Sequence, residues 1–140
     1  AGEAQGKMTL DGTTVSLNVA NALELPGHDG KPFTIVLLTE APIDLSAALA
    51  SSDPYVALLN DDRLDAVTHA MVLVGAERVS INAHKAGKKE QYLATRKFGL
   101  EAKISGGGAK PLEGSLRSTT AEMSVQIDAT FKTNVVKPKT

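Results

Sequence analysis

Along most of the chain apolar and polar residues alternate with a period of two, the signature of strands that bury one face. The clearest run is Met123 to Phe131, where Met123, Val125, Ile127, Ala129 and Phe131 alternate with Ser124, Gln126, Asp128 and Thr130. Near the start, Lys7 to Leu10 and Thr13 to Val19 flank Asp11-Gly12, a dipeptide that supplies the positive φ angles of a two-residue hairpin turn. Val15, Leu17 and Val19 are expected on one buried face of its second arm. The turn-forming run from Pro26 to Pro32 ends that arm, and the almost wholly apolar Phe33 to Leu38 then reads as a central strand.

A different pattern follows. Asp44 is placed to cap a helical turn over Leu45 to Ala50, and Asp53 before Pro54 gives a second helix start, predicting a brief helix over Tyr55 to Leu59. After a loop from Asn60 to Arg63, an extended run is predicted from Leu64 to Val74, a turn at Gly75-Ala76-Glu77, and a strand over Arg78 to His84 with Val79, Ile81 and Ala83 on one face. The charged loop Lys85 to Glu90 leads to a run in which Tyr92, Ala94, Phe98, Leu100, Ala102 and Ile104 share one parity, with a bend at Gly99. Ser105-Gly106-Gly107-Gly108 reads as a flexible turn before a strand over Leu112 to Arg117.

Seven or eight short strands and one or two short helices make an all-β chain, with an antiparallel immunoglobulin-like β-sandwich as the expected architecture and a small β-barrel as the alternative. Residues 1–140 are expected to form a single domain of ordinary size, with 1–6 and 137–140 mobile. No stretch approaches the roughly 18 to 20 apolar residues of a membrane-spanning helix.

Composition narrows the chemistry. The chain has no cysteine, which removes disulfides, thiolate nucleophiles and cysteine-held zinc or iron–sulfur centres. Net charge is −1, but residues 1–77 carry 3 basic and 11 acidic residues and 78–140 carry 12 basic and 5 acidic. The two halves therefore differ by −8 against +7. In a β fold whose strands interleave, local neutralisation is favoured over two poles. The basic residues Lys85, Lys88, Lys89, Arg96, Lys97, Lys103, Lys110 and Arg117 read as a solvated face, because sheet recognition of nucleic acid adds exposed aromatics, and Tyr92 and Phe98 share the parity of core neighbours.

Catalytic patterns fail one by one. No G-x-S-x-G elbow surrounds a serine, and the Ser105 glycine run lacks the Lys and Ser or Thr of a phosphate-binding loop. His28, His69 and His84 are spaced unlike any local metal motif; His28 and His84 are expected to be solvated and His69 hydrogen-bonded and partly buried. Asp61, Asp62 and Asp65 lack the glycine and distal glutamate of an EF-hand. The expectation is a chain that is not an enzyme and holds no cofactor and no metal.

Several blocks resemble a group of small exported bacterial β-sandwich proteins that has not been characterised: Gly6-Lys7-Met8-Thr9-Leu10-Asp11-Gly12, Val36-Leu37-Leu38-Thr39-Glu40-Ala41-Pro42-Ile43, Glu113-Gly114-Ser115-Leu116 and Asp128-Ala129-Thr130-Phe131. The resemblance implies export and a β fold and carries over no catalytic residue. Ala1 to Gly6 is small and polar, a stretch of the kind left by signal-peptide cleavage or by any other trimming. A periplasmic or secreted location is expected on these two grounds.

The leading expectation is a non-enzymatic interaction domain, of inhibitor or immunity type, that recognises another protein or an envelope component and not nucleic acid. Its contacts are expected on loops carried by a rigid scaffold: Gly27, His28, Asp29 and Lys31 in one turn, Tyr55, Asp61 and Asp62 around the helical excursion, and Lys85, Lys88 and Lys89. One alternative is a carrier of a small apolar ligand in a cavity lined by Val36, Leu38, Leu73 and Ile81. The other is a structural subunit that exchanges strands, with Met123 to Thr133 as donor.

Overall fold

A computed structural model describes residues 2–10, 12–25, 32–75, 79–87, 91–95, 99–107, 110–119 and 125–136. Its strands are β1 (Gly2–Leu10), β2 (Thr13–Ser16), β3 (Val19–Leu25), β4 (Phe33–Thr39), β5 (His69–Val74), β6 (Val79–His84), β7 (Gln91–Thr95), β8 (Leu100–Gly107), β9 (Lys110–Ser118), β10 (Val125–Thr133) and β11 (Val135–Val136). Three helical turns, α1 (Ser46–Leu49), α2 (Pro54–Leu59) and α3 (Asp62–Asp65), fall between β4 and β5. The all-β expectation holds. The strands join one sheet in the order β7-β6-β5-β4-β3-β1-β10-β9-β8, antiparallel throughout except where β11 runs parallel to β3. The sheet curls until its end strands β7 and β8 approach each other, giving a nearly closed, barrel-like form.

The hairpin forms as its turn chemistry predicts: Leu10 pairs with Thr13, and Gly12 adopts φ +78°. Its second arm does not stay on one face. Val15 and Leu17 point into the barrel, but the ladder breaks at Leu17-Asn18, where the Leu17 amide donates to Gly6 O and the Asn18 amide to Thr39 O. Beyond the break Ala20 and Ala22 take the inner face and Val19 does not, because one extra residue in a strand reverses every later side chain.

Gly2 to Gly6, expected to be mobile, is the first half of β1. It pairs with β10 from Glu3 onward and with β3 at Gly2 and Glu3, and Ala4 is buried in the core. Small polar residues here serve a strand whose outward positions face solvent. Residues 137–140 lie outside the described part.

Inward residues from nearly every described strand fill the curl with one apolar cluster, among them Met8, Leu17, Val36, Leu38, Val72, Ile81, Leu116, Ile127 and Phe131. A second cluster lies on the outer face of β3, β4 and β5. There Leu23, Leu25, Ile35, Leu37 and Met71 pack against Leu45, Ala48, Leu58 and Leu64 from the helical excursion. The strand β4 is thus buried on both faces, which is why Phe33 to Leu38 carries no alternation.

The helical stretch differs in detail from its sequence reading. Asp44 does not cap α1, whose N-cap position is Leu45; instead its carboxylate accepts from the Ser46 amide at 2.9 Å and from the Ser46 hydroxyl. Those two bonds, with the Arg63 guanidinium nearby, hold the Asp44 carboxyl below its ordinary pKa. Asp53 caps α2 as expected, accepting from the Val56 amide, with Pro54 at the first helical position. The run from Leu64 is not extended at its start. Asp61 accepts from the Arg63 amide at 2.8 Å and so nucleates α3, which delays β5 to His69. Farther on, Gly99 has φ +84° between β7 and β8, the bend the sequence predicts. Ser105 to Gly107 is strand and not turn, with the register shifting around Gly106.

Candidate functional site

The outer surface of the sheet is two different surfaces. Over β3, β4 and β5 it is apolar and lies under α1 to α3. Over β1, β10, β9 and β8 no described helix covers it, and strand register arranges its side chains in rows. One row crosses the four strands as Glu3, Lys132, Glu113 and Ser105; the next as Gln5, Thr130, Ser115 and Lys103; a third as Lys7, Asp128, Arg117 and Glu101.

The outer rows alternate in sign. Lys132 Nζ lies 3.4 Å from Glu113 Oε1, and Lys103 Nζ lies 3.9 Å from Glu101 Oε1. Because β1, from the acidic half of the chain, runs beside β10, from the basic half, opposite charges become cross-strand neighbours. The two ion pairs both lie within residues 78–140, while the register sets Glu3 of the acidic half opposite Lys132 and Lys7 opposite Asp128.

The middle row carries amide, hydroxyl and ammonium groups able to donate and accept. Together with Glu3, Lys132, Glu113 and Ser105, it borders a groove of about 460 Å³ whose floor reaches Ala4, Gly114 and Phe131. Gly114 makes room on the core side of that floor: a Cβ there would stand 2.5 Å from Phe131 Cζ and 2.7 Å from Ile104 Cδ1. The Phe131 ring thus occupies the inner side of the sheet where a residue 114 side chain would be. None of the lining residues is a histidine or an aspartate, and one of the two glutamates, Glu113, is paired with Lys132.

The loop residues expected to make contacts fare differently. Gly27, His28, Asp29, Lys31, Lys88 and Lys89 lie outside the described residues. Tyr55 packs edge-on against Phe33, ring centroids 6.0 Å apart, as a part of the outer apolar cluster. Asp61 is occupied as the cap of α3 and by Arg63 Nη2 at 3.5 Å, whereas Asp62 is exposed and Lys85 half-buried after β6. Among the described residues no three His, Asp or Glu side chains gather as metal ligands do. The four residues named for an apolar cavity do not share one: Val36, Leu38 and Ile81 face the enclosed core and Leu73 the outer cluster. The strand named as a donor, β10, is paired along both edges, to β1 and to β9.

Of the histidines, His69 is buried and hydrogen-bonded as expected, with Nδ1 3.0 Å from Val67 O. His84 is not solvated. It is 9% exposed, directly opposite His69 in the β5–β6 ladder, with ring centroids 5.1 Å apart. Position at a strand end suggested exposure, but Ala83 turns inward and His84 therefore shares the covered outer face with His69 and Met71. The groove residues were not singled out by the sequence, although Gln5, Ser115 and Thr130 all sit at polar positions of alternating strands. The missing information was register between strands far apart in the chain. No protein-family model, no curated protein and no solved structure matches the chain, so the resemblance to exported proteins rests on its short blocks alone.

Proposed function

We propose that this chain is a non-enzymatic binding domain that recognises a polar segment of another protein in the groove across β1, β10, β9 and β8. The observation that carries this reading is that the groove lies on a sheet face that no described helix covers, lined by side chains that can donate and accept hydrogen bonds. Rows of alternating charge flanking a row of amide, hydroxyl and ammonium groups match a protein surface of mixed charge better than a uniformly anionic polymer, which would meet repulsion as well as attraction. The lining offers donors and acceptors without a base poised beside a nucleophile, so it suits recognition and not bond-breaking.

The test fills the groove without touching the core. Thr130→Trp and Ser115→Arg should abolish recovery of a partner that the wild-type chain retains, while Val56→Glu on the exposed side of α2 should leave recovery unchanged. Partner recovery that survives both groove variants would overturn the assignment of this face.

A further inference from the structure

The groove is polarised from one end to the other. The row through Lys132 begins at Glu3 on β1, and the next row ends at Lys103 on β8. Glu3 stands opposite Lys132, but the Lys132 ammonium turns to Glu113 at 3.4 Å, and among the described residues no ion pair joins Glu3. Lys103 is 80% exposed, and its ion-pair partner among the described residues is Glu101 alone, at 3.9 Å. A contact that long and that exposed is weak and screened by salt. A carboxylate therefore stays open at the β1 end and an ammonium at the β8 end.

Between the two ends lie Gln5, Thr130 and Ser115. Among the described residues none of these three side chains has a hydrogen-bond partner, whereas farther along the same face the hydroxyls of Thr9 and Thr14 close on each other at 2.8 Å. Such groups turn to water, and a ligand that replaces the water keeps their bonds satisfied. The spacing then sets the shape of the ligand. Neighbouring strands lie about 4.8 Å apart, so the crossing from β1 to β8 covers about 14 Å. An extended chain rises about 3.3 Å per residue and turns every second side chain to the same face, so residues four apart are separated by about 13 Å and both face the sheet. Long side chains on either partner absorb the offset of one row.

We propose that the segment held in the groove is an extended strand with a basic residue and an acidic residue four positions apart, and a hydrogen-bonding residue midway between them. The basic side chain meets Glu3, the acidic one meets Lys103, and the middle one lies over Thr130 and Ser115. This motif rests on the groove being the binding face. A wholly acidic segment would be repelled by Glu3 and Glu113 and a wholly basic one by Lys103 and Lys132, so the lining selects a strand that carries both signs.

The experiment is an NMR titration of the full chain with the acetylated, amidated peptide Gly-Lys-Gly-Gln-Gly-Asp-Gly, whose blocked ends carry no charge. The backbone signals of Gln5, Lys103, Ser115 and Thr130 should shift, and a peptide with its Lys and Asp side by side should bind about two- to fivefold more weakly. Single charge reversals should redirect the preference. Glu3→Lys should favour the peptide with Asp at both charged positions, and Lys103→Glu the one with Lys at both. Groove signals that stay still with every peptide, or an order of preference that neither reversal changes, would overturn the motif. The binding face itself is judged separately, by whether Thr130→Trp abolishes partner recovery, so failure of the motif and failure of the face are told apart.

Discussion

The outer face over β3, β4 and β5 and the outer face over β1, β10, β9 and β8 belong to one sheet, yet they solve the problem of exposure in opposite ways. The first carries Leu23, Leu25, Ile35, Leu37 and Met71 and is covered by three helical turns that together supply Leu45, Ala48, Leu58 and Leu64. The second carries charges and hydroxyls in register and needs no cover. The strand pattern alone decides which: β4 is apolar at consecutive positions, whereas β10 is apolar only at every second one. A sheet whose strands differ in this way has one half covered by a second layer and one half whose outer side chains stay in solvent.

The contrast can be broken most severely at the covered face. Leu37→Ala removes a fully buried side chain beneath the helices and should cost about 2–5 kcal/mol in urea unfolding. Thr130→Ala on the bare face should stay within about 0.5 kcal/mol. Equal losses at the two sites would mean that both faces are load-sharing and would remove the distinction. An intermediate effect is expected where the bare face meets the core: Gly114→Ala forces Phe131 and Ile104 aside and should cost about 1–3 kcal/mol, largely regained when Phe131→Leu is added. The smallest effect belongs to the charge rows. Glu113 and Lys132 are 55% and 65% exposed, so a double-mutant cycle with Glu113→Gln and Lys132→Gln should give a coupling of only about 0–1 kcal/mol that fades at high salt.

Much of the fold was legible because its causes are local. The hairpin at Asp11-Gly12, the central strand at Phe33 to Leu38, the Asp53-Pro54 helix start and the bend at Gly99 each follow from turn chemistry or from patterning within a few residues. Errors arose where one residue changed a phase or where a pairing was distant. The break at Leu17-Asn18 reversed the face of Val19, and the Asp61 cap added α3 in a segment read as extended. Gly2 to Gly6 seemed free because nothing nearby holds it; its partner is β10. The same blindness hid the groove, whose rows combine residues from β1 with residues from β8, β9 and β10, and it hid the encounter of His69 with His84 across the β5–β6 ladder.

The pairing of β1 with β10 also bears on how the chain reaches this form. Glu3 stands opposite Lys132, so almost the whole described sequence must be threaded between two strands that end up adjacent. Closing a loop of that size offers no reward until both strands are in place, and topologies dominated by such distant pairings fold slowly. The hairpins β3–β4, β4–β5, β5–β6 and β8–β9 join strands near in sequence and can form early. By loop-closure entropy the β1–β10 seam is expected to join last, leaving the edge of β10 open until then. Outward charges at Asp128 and Lys132 on that late edge are where a growing aggregate would be turned away.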